Sequence, residues 1–108
     1  MKTQEEIKTP FVLTSKLDYR NGDVAAKDLL ANDSGSIRFL AFDANAMIAR
    51  HAVKSDVLVY VVEGSVEFEV DDVRHKLDKG DAMILPSDTP HTVLALEKSK
   101  VLLSRLNA

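Results

Sequence analysis

Apolar and polar residues along this chain fall into short segments, several of which alternate with the period of two that marks a β-strand. In SVEFEV, Val66, Phe68 and Val70 take one parity and Ser65, Glu67 and Glu69 the other, as in a strand with one dry face and one wet face. Asp71-Asp72 then supplies a hairpin turn, after which Val73, His75 and Leu77 share one parity and Arg74 and Lys76 the other. VLVYVV (57–62) is apolar on both parities and rich in β-branched residues, which predicts a strand covered on both faces, by a second layer, a partner chain or both. IRFLAF (37–42) is likewise apolar on both sides except at Arg38. In MIARHAV, strict alternation places Met47, Ala49, His51 and Val53 on one face and Ile48, Arg50 and Ala52 on the other. HTVLALE and KVLLSRL read as two further strands joined by a charged turn, and Arg105, alternating with apolar neighbours in LLSRL, is most simply solvent-facing, although an arginine at a pocket mouth could hold a carboxylate.

Turn signals separate these segments: Pro10, Asn21-Gly22, Asp33-Ser34-Gly35, Asp43 to Asn45, Gly64, Lys79-Gly80, Pro86 and Pro90. Breaks at intervals of about ten residues suggest an all-β sandwich or barrel. GDVAAKDLLAND stays open on its own residues. Asp23 at an N-cap position followed by Ala and Leu favours a short helix over 24–30, whereas the neighbouring β pattern favours a strand.

Composition narrows the class. At 108 residues, with 45% hydrophobic and 29% charged, the chain suits one domain with a single core. Fourteen basic and 17 acidic residues give a net charge of −3, and the basic residues are scattered. No positive stripe exists to displace counterions, so nucleic acid is not an expected partner. No apolar run approaches the roughly 20 residues that span a bilayer, and the N-terminus lacks the apolar core of a signal peptide. No membrane association and a cytoplasmic location are expected. The absence of cysteine removes disulfides, thiol nucleophiles and thiolate metal ligands, leaving His51, His75 and His91 as the candidate soft donors. No nucleotide-binding glycine loop or serine–histidine–aspartate order is present.

Gly80, Pro86 and His91 stand at a spacing that turn chemistry alone does not demand. With His51 and Gly64 they resemble the paired motifs of the small single-domain cupins, G-x5-H-x-H-x3,4-E-x6-G and G-x5-P-x-G-x2-H-x3-N. His51 and Gly64 match the first motif, with Asn45 at its opening glycine, Val53 at its second histidine and Val57 at its glutamate. Gly80, Pro86 and His91 match the second, with Asp88 at its second glycine and Ala95 at its asparagine. The two motifs span Asn45 to Ala95, roughly half of the chain.

The resemblance implies an all-β, double-stranded antiparallel β-barrel of jelly-roll type forming one domain over 1–108. Its core barrel would cover about 20–106, with an N-terminal arm at 1–19 and a strand at 24–30. It implies a homodimer and an internal pocket, lined by Met47, Ala49, His51, Val53, Val57 and His91. In complete cupins three histidines and the glutamate bind one divalent metal. Here His51 and His91 match two of those ligands, and Val53 and Val57 remove the others. Two imidazoles suit weakly held zinc, nickel or copper better than iron or manganese, which favour the missing carboxylate. Asp56 would be a replacement ligand only if its loop were bulged, and its simpler role is to cap a turn. His75 matches no ligand position. The expected function is small-molecule binding by a cupin with a weakened or lost metal site. The alternatives are a metal-dependent enzyme of dioxygenase, isomerase or decarboxylase type using His51 and His91, and metal-free acid–base catalysis by one of these histidines.

Overall fold

The alternating segments become strands of two antiparallel sheets in the computed structural model, which describes residues 2, 3 and 7–107. The strands are β1 (Lys2–Thr3), β2 (Val24–Asn32), β3 (Gly35–Phe42), β4 (Met47–His51), β5 (Ser55–Glu63), β6 (Ser65–Val70), β7 (Val73–Asp78), β8 (Ala82–Leu85), β9 (His91–Ala95) and β10 (Ser99–Asn107). One sheet has the order β1-β2-β3-β10-β5-β8 and the other β4-β9-β6-β7. Neighbours distant in sequence, such as β3 with β10 and β6 with β9, give the jelly-roll character, although the sheets do not close into a continuous barrel. No helix among the described residues is long and apolar enough to cross a membrane.

Tertiary pairing decides the ambiguous segment. Val24 to Asn32 is a strand, paired with β3 from Val24↔Phe42 to Asn32↔Gly35 and with β1 on its other edge. A full ladder outweighs the few tenths of a kcal/mol per residue by which Ala and Leu favour a helix. The SVEFEV hairpin forms as its alternation predicts, with Val70↔Val73 closing on Asp71 and Asp72. Both aspartates have positive φ, 52° and 62°, the geometry of a tight two-residue turn matched to strand twist.

The core lies between the sheets. Leu40, Phe42, Val57, Val59, Val61 and Val101 face Val66, Phe68, Val70, Leu77, Val93 and Ala95. The expectation of two covered faces holds for the end of β3, where Phe39 to Phe42 are all buried. Ala41 pairs with Lys100, whose ammonium donates to the Thr14 carbonyl and lies 4.9 Å from the Tyr19 ring, so the N-terminal arm crosses that outer face. Tyr19 in turn donates its hydroxyl to Glu63, and burial together with that carboxylate pushes its pKa upward.

Within one chain, β5 is covered on one face only. Val57, Val59 and Val61 are buried, but the opposite parity is open, with Leu58 43% and Tyr60 41% exposed. Apolar composition by itself does not reveal which face a single chain covers.

The positions where the cupin motifs expect glycine share one backbone property. Gly64 and Gly80 have φ of 85° and 91°, and Asn45 and Asp88, which replace the other two glycines, have φ of 68° and 61°. Asparagine and aspartate are the side chains that best tolerate this left-handed region, so the turns survive the substitutions.

Candidate functional site

A cavity of about 280 Å³ lies between the sheets. Its wall is mostly apolar, built from residues including Leu40, Phe42, Ile48, Val53, Val57, Val59 and Phe68. Among the described residues, four polar side chains interrupt it: His51, His91, Arg38 and Arg105.

The histidines are brought together by the β4–β9 ladder, in which His51 pairs with His91 and Ile48 with Val93. Three steps along β4 thus match two along β9, which defines a β-bulge between Ile48 and His51. The ring centroids lie 4.3 Å apart, tilted by 55°, and the His91 ring stacks on Phe68 at 6.0 Å. His51 Nδ1 lies 3.1 Å from the Ala49 carbonyl and His91 Nδ1 lies 2.9 Å from the Thr89 carbonyl. A carbonyl can only accept, so each Nδ1 carries the proton and the neutral ring keeps its lone pair on Nε2. The pKa of His91 lies below its ordinary value, chiefly because burial disfavours the imidazolium, with His51 and Arg105 adding to the effect and the Thr89 carbonyl opposing it.

The bulge corrects the expected pocket lining. Strict alternation would put Met47 and Ala49 beside His51, but the extra residue reverses parity. Ile48 points inward, whereas Met47 is 56% exposed and Ala49 is exposed. Met47 lines a shallow outer groove with Glu67, Glu69, Arg74, Thr92 and Leu94. Val53, Val57, His51 and His91 line the cavity. Asp56 is on the outside of β5, where its carboxylate accepts the Ser87 N–H at 2.9 Å, so it caps a turn and does not approach the histidines. His75 pairs with Phe68 across the hairpin and does not line the cavity.

A second correction concerns Arg105. It is half-buried and faces the cavity, because it shares parity on β10 with Val101 and Leu103. Arg38 shares parity with Leu40 and Phe42 on β3 in the same way. Both spacings are present in the sequence, where the charge of Arg105 makes solvent the simpler reading and a pocket mouth the alternative. Arg38 donates from Nε to Asp28 at 2.9 Å. Arg105 Nε is buried without a hydrogen-bond partner. Burial, and after it the Arg38 charge, shift the Arg105 pKa downward, with Asp28 opposing. The guanidinium nevertheless stays protonated.

The donor set bears directly on the metal implied by the fold. Two Nε2 lone pairs are correctly prepared, since an Nδ1–H held by a carbonyl is the usual support of a ligating histidine. A tight site takes about three protein ligands, and the described residues contain no cluster of three His, Cys, Asp or Glu side chains. Val53 and Val57 stand where further donors are needed, so the residues do not fit a tightly held ion.

A family model described as "Cupin domain" matches residues 39–104. No curated protein matches the chain. Among solved structures, a conserved protein of unknown function from Streptococcus pyogenes superposes with a TM-score of 0.91 at 21% identity, covering 100% of this chain and 96% of that one. A cupin superfamily protein from Desulfitobacterium hafniense gives 0.89 at 20% identity, covering 95% and 94% of the two chains. KdgF from a Halomonas species gives 0.74 at 25% identity, covering 93% and 94%.

Proposed function

The chain belongs to the cupin family, and on that premise we propose that it binds a small organic molecule in the cavity between its sheets, with a metal site too weak to be its main attribute. The observation that carries this reading is the cavity itself: an apolar wall with a few convergent polar groups, the usual constitution of a small-molecule site. Methyl-resolved NMR during titration with a set of small organic compounds tests it. Val53, Val57 and Val59 methyl signals should move. Shifts confined to outer-surface methyls such as those of Leu58 and Leu106 would contradict the reading.

A second reading, a metal-dependent enzyme using His51 and His91, is favoured by one observation. Each ring anchors Nδ1 on a backbone carbonyl, which in the neutral form leaves the Nε2 lone pair for a metal, and the rings lie 4.3 Å apart. Zinc, nickel or copper would suit such a pair better than iron or manganese. In that case His51→Ala should abolish metal uptake, and unchanged uptake would remove the reading.

We further propose a homodimer formed through the outer face of β5, β8 and β10. Leu58, Tyr60, Ile84 and Leu106 are exposed there, and Leu58 and Ile84 are cross-strand partners. A second copy of the same face would supply the cover that the N-terminal arm gives elsewhere.

A further inference from the structure

The charge of the cavity wall narrows the chemistry of what fits inside it. Among the described residues, the arginines on the wall are Arg38 and Arg105, and no carboxylate lines it. Arg38 is already neutralised by Asp28 at 2.9 Å. Arg105 forms no hydrogen bond or ion pair among the described residues, and its Nε is shielded from water. Its cross-strand neighbours on β10 are Ser36 on one side and Val57 on the other, neither of them anionic. An unpaired guanidinium with a buried donor is costly unless an anion meets it.

The polar groups fall on opposite walls. Arg38 and Arg105 come from β3 and β10 of one sheet, and His51 and His91 from β4 and β9 of the other. Between them the lining is aliphatic and aromatic, including Val57, Val59, Phe68 and Leu103. The volume of 280 Å³ equals about nine water molecules at roughly 30 Å³ each, room for a molecule with a comparable number of heavy atoms.

We propose that Arg105 is the anchor of an anion-binding subsite, and that the cavity takes a small organic monocarboxylate whose carboxylate meets Arg105 and whose apolar body lies against Val57, Val59 and Phe68. The proposal rests on the small-molecule reading above and specifies the ligand class. A charge-assisted hydrogen bond to a guanidinium, formed out of water, is the interaction that separates a carboxylate from a neutral compound of the same shape. Arg38 holds Asp28 at 2.9 Å, whereas Arg105 feels that carboxylate only at longer range and forms no ion pair of its own among the described residues.

Hexanoate and hexanamide, matched in shape and different in charge, are suitable probes. They are titrated separately into the full chain at about pH 8, above the ordinary histidine range, with cavity methyl NMR signals as readout. Hexanoate should bind at least about tenfold more tightly than hexanamide. Arg105→Met should remove that preference, so that hexanoate binds no more tightly than hexanamide. Val57→Glu, which sets an internal carboxylate across the strand from Arg105, should also remove it. Equal affinity of the wild-type protein for the two probes, or a preference that persists in both variants, would overturn the anion subsite while leaving the cavity reading intact. Failure of both probes to move any cavity methyl would overturn the subsite and count against the cavity reading as well. The wild-type comparison decides the matter even if a variant does not fold.

Discussion

At His91, burial opposes protonation, and the consequence is a defined dependence of stability on pH. The folded-state pKa is lowered from 6.5, so between that value and the folded pKa the unfolded chain binds more protons. The stabilising contribution is therefore fully present above pH 6.5 and is lost as pH falls through the folded-state value. The urea midpoint of the wild-type chain should drop between about pH 7.5 and 5.5 relative to that of His91→Gln, in which the group is absent. Identical midpoint differences at both pH values would show that His91 is not desolvated in the folded chain. His91 was legible in the sequence as a pocket residue because its motif spacing is intact. Arg105 was legible only as an alternative, because an arginine after alternating apolar residues reads first as solvent-facing unless parity is given priority over charge.

At the scale of the element, turns were easier to read than strand faces. Gly64 and Gly80 were both identified by motif spacing, but they answer different physical demands. A Cβ at Gly64 would lie 2.3 Å from Ser99 Oγ and 2.4 Å from the Lys98 carbonyl oxygen, in addition to adopting φ of 85°. At Gly80, φ is 91° but no atom lies within 4 Å of such a Cβ. Gly64→Ala should therefore cost roughly 3 kcal/mol or more, combining strain with a backbone clash, and Gly80→Ala about 1–2 kcal/mol from conformation alone. Equal losses in denaturant unfolding would contradict this distinction. The bulge in β4 marks where pattern reading stopped being reliable. One extra residue exchanged Met47 and Ala49 for Ile48 on the cavity side, and nothing in MIARHAV announces an insertion that only the pairing with β9 reveals.

At the scale of the whole molecule, the two-sheet jelly roll was legible because so many independent segments agreed on period and turn spacing. Which outer faces a single chain leaves uncovered was not, since VLVYVV and IRFLAF look alike while only the end of the latter is buried on both faces. The open face of β5, β8 and β10 leads to a prediction about assembly. Sedimentation of the wild-type chain at about 100 μM should give a dimer, and Leu58→Lys should shift it toward monomer with the fold retained. A wild-type monomer under these conditions would contradict the proposed interface. The organic-ligand account has a counterpart in metal content, because the same two valines that dry the cavity remove donors from the histidine pair. Restoring them with Val53→His and Val57→Glu together should increase metal retention. The most direct test is the metal content of wild-type protein produced in medium supplemented with zinc, nickel, copper, iron and manganese and then dialysed. The account predicts far less than one ion per chain, and one tightly retained ion per chain would contradict it.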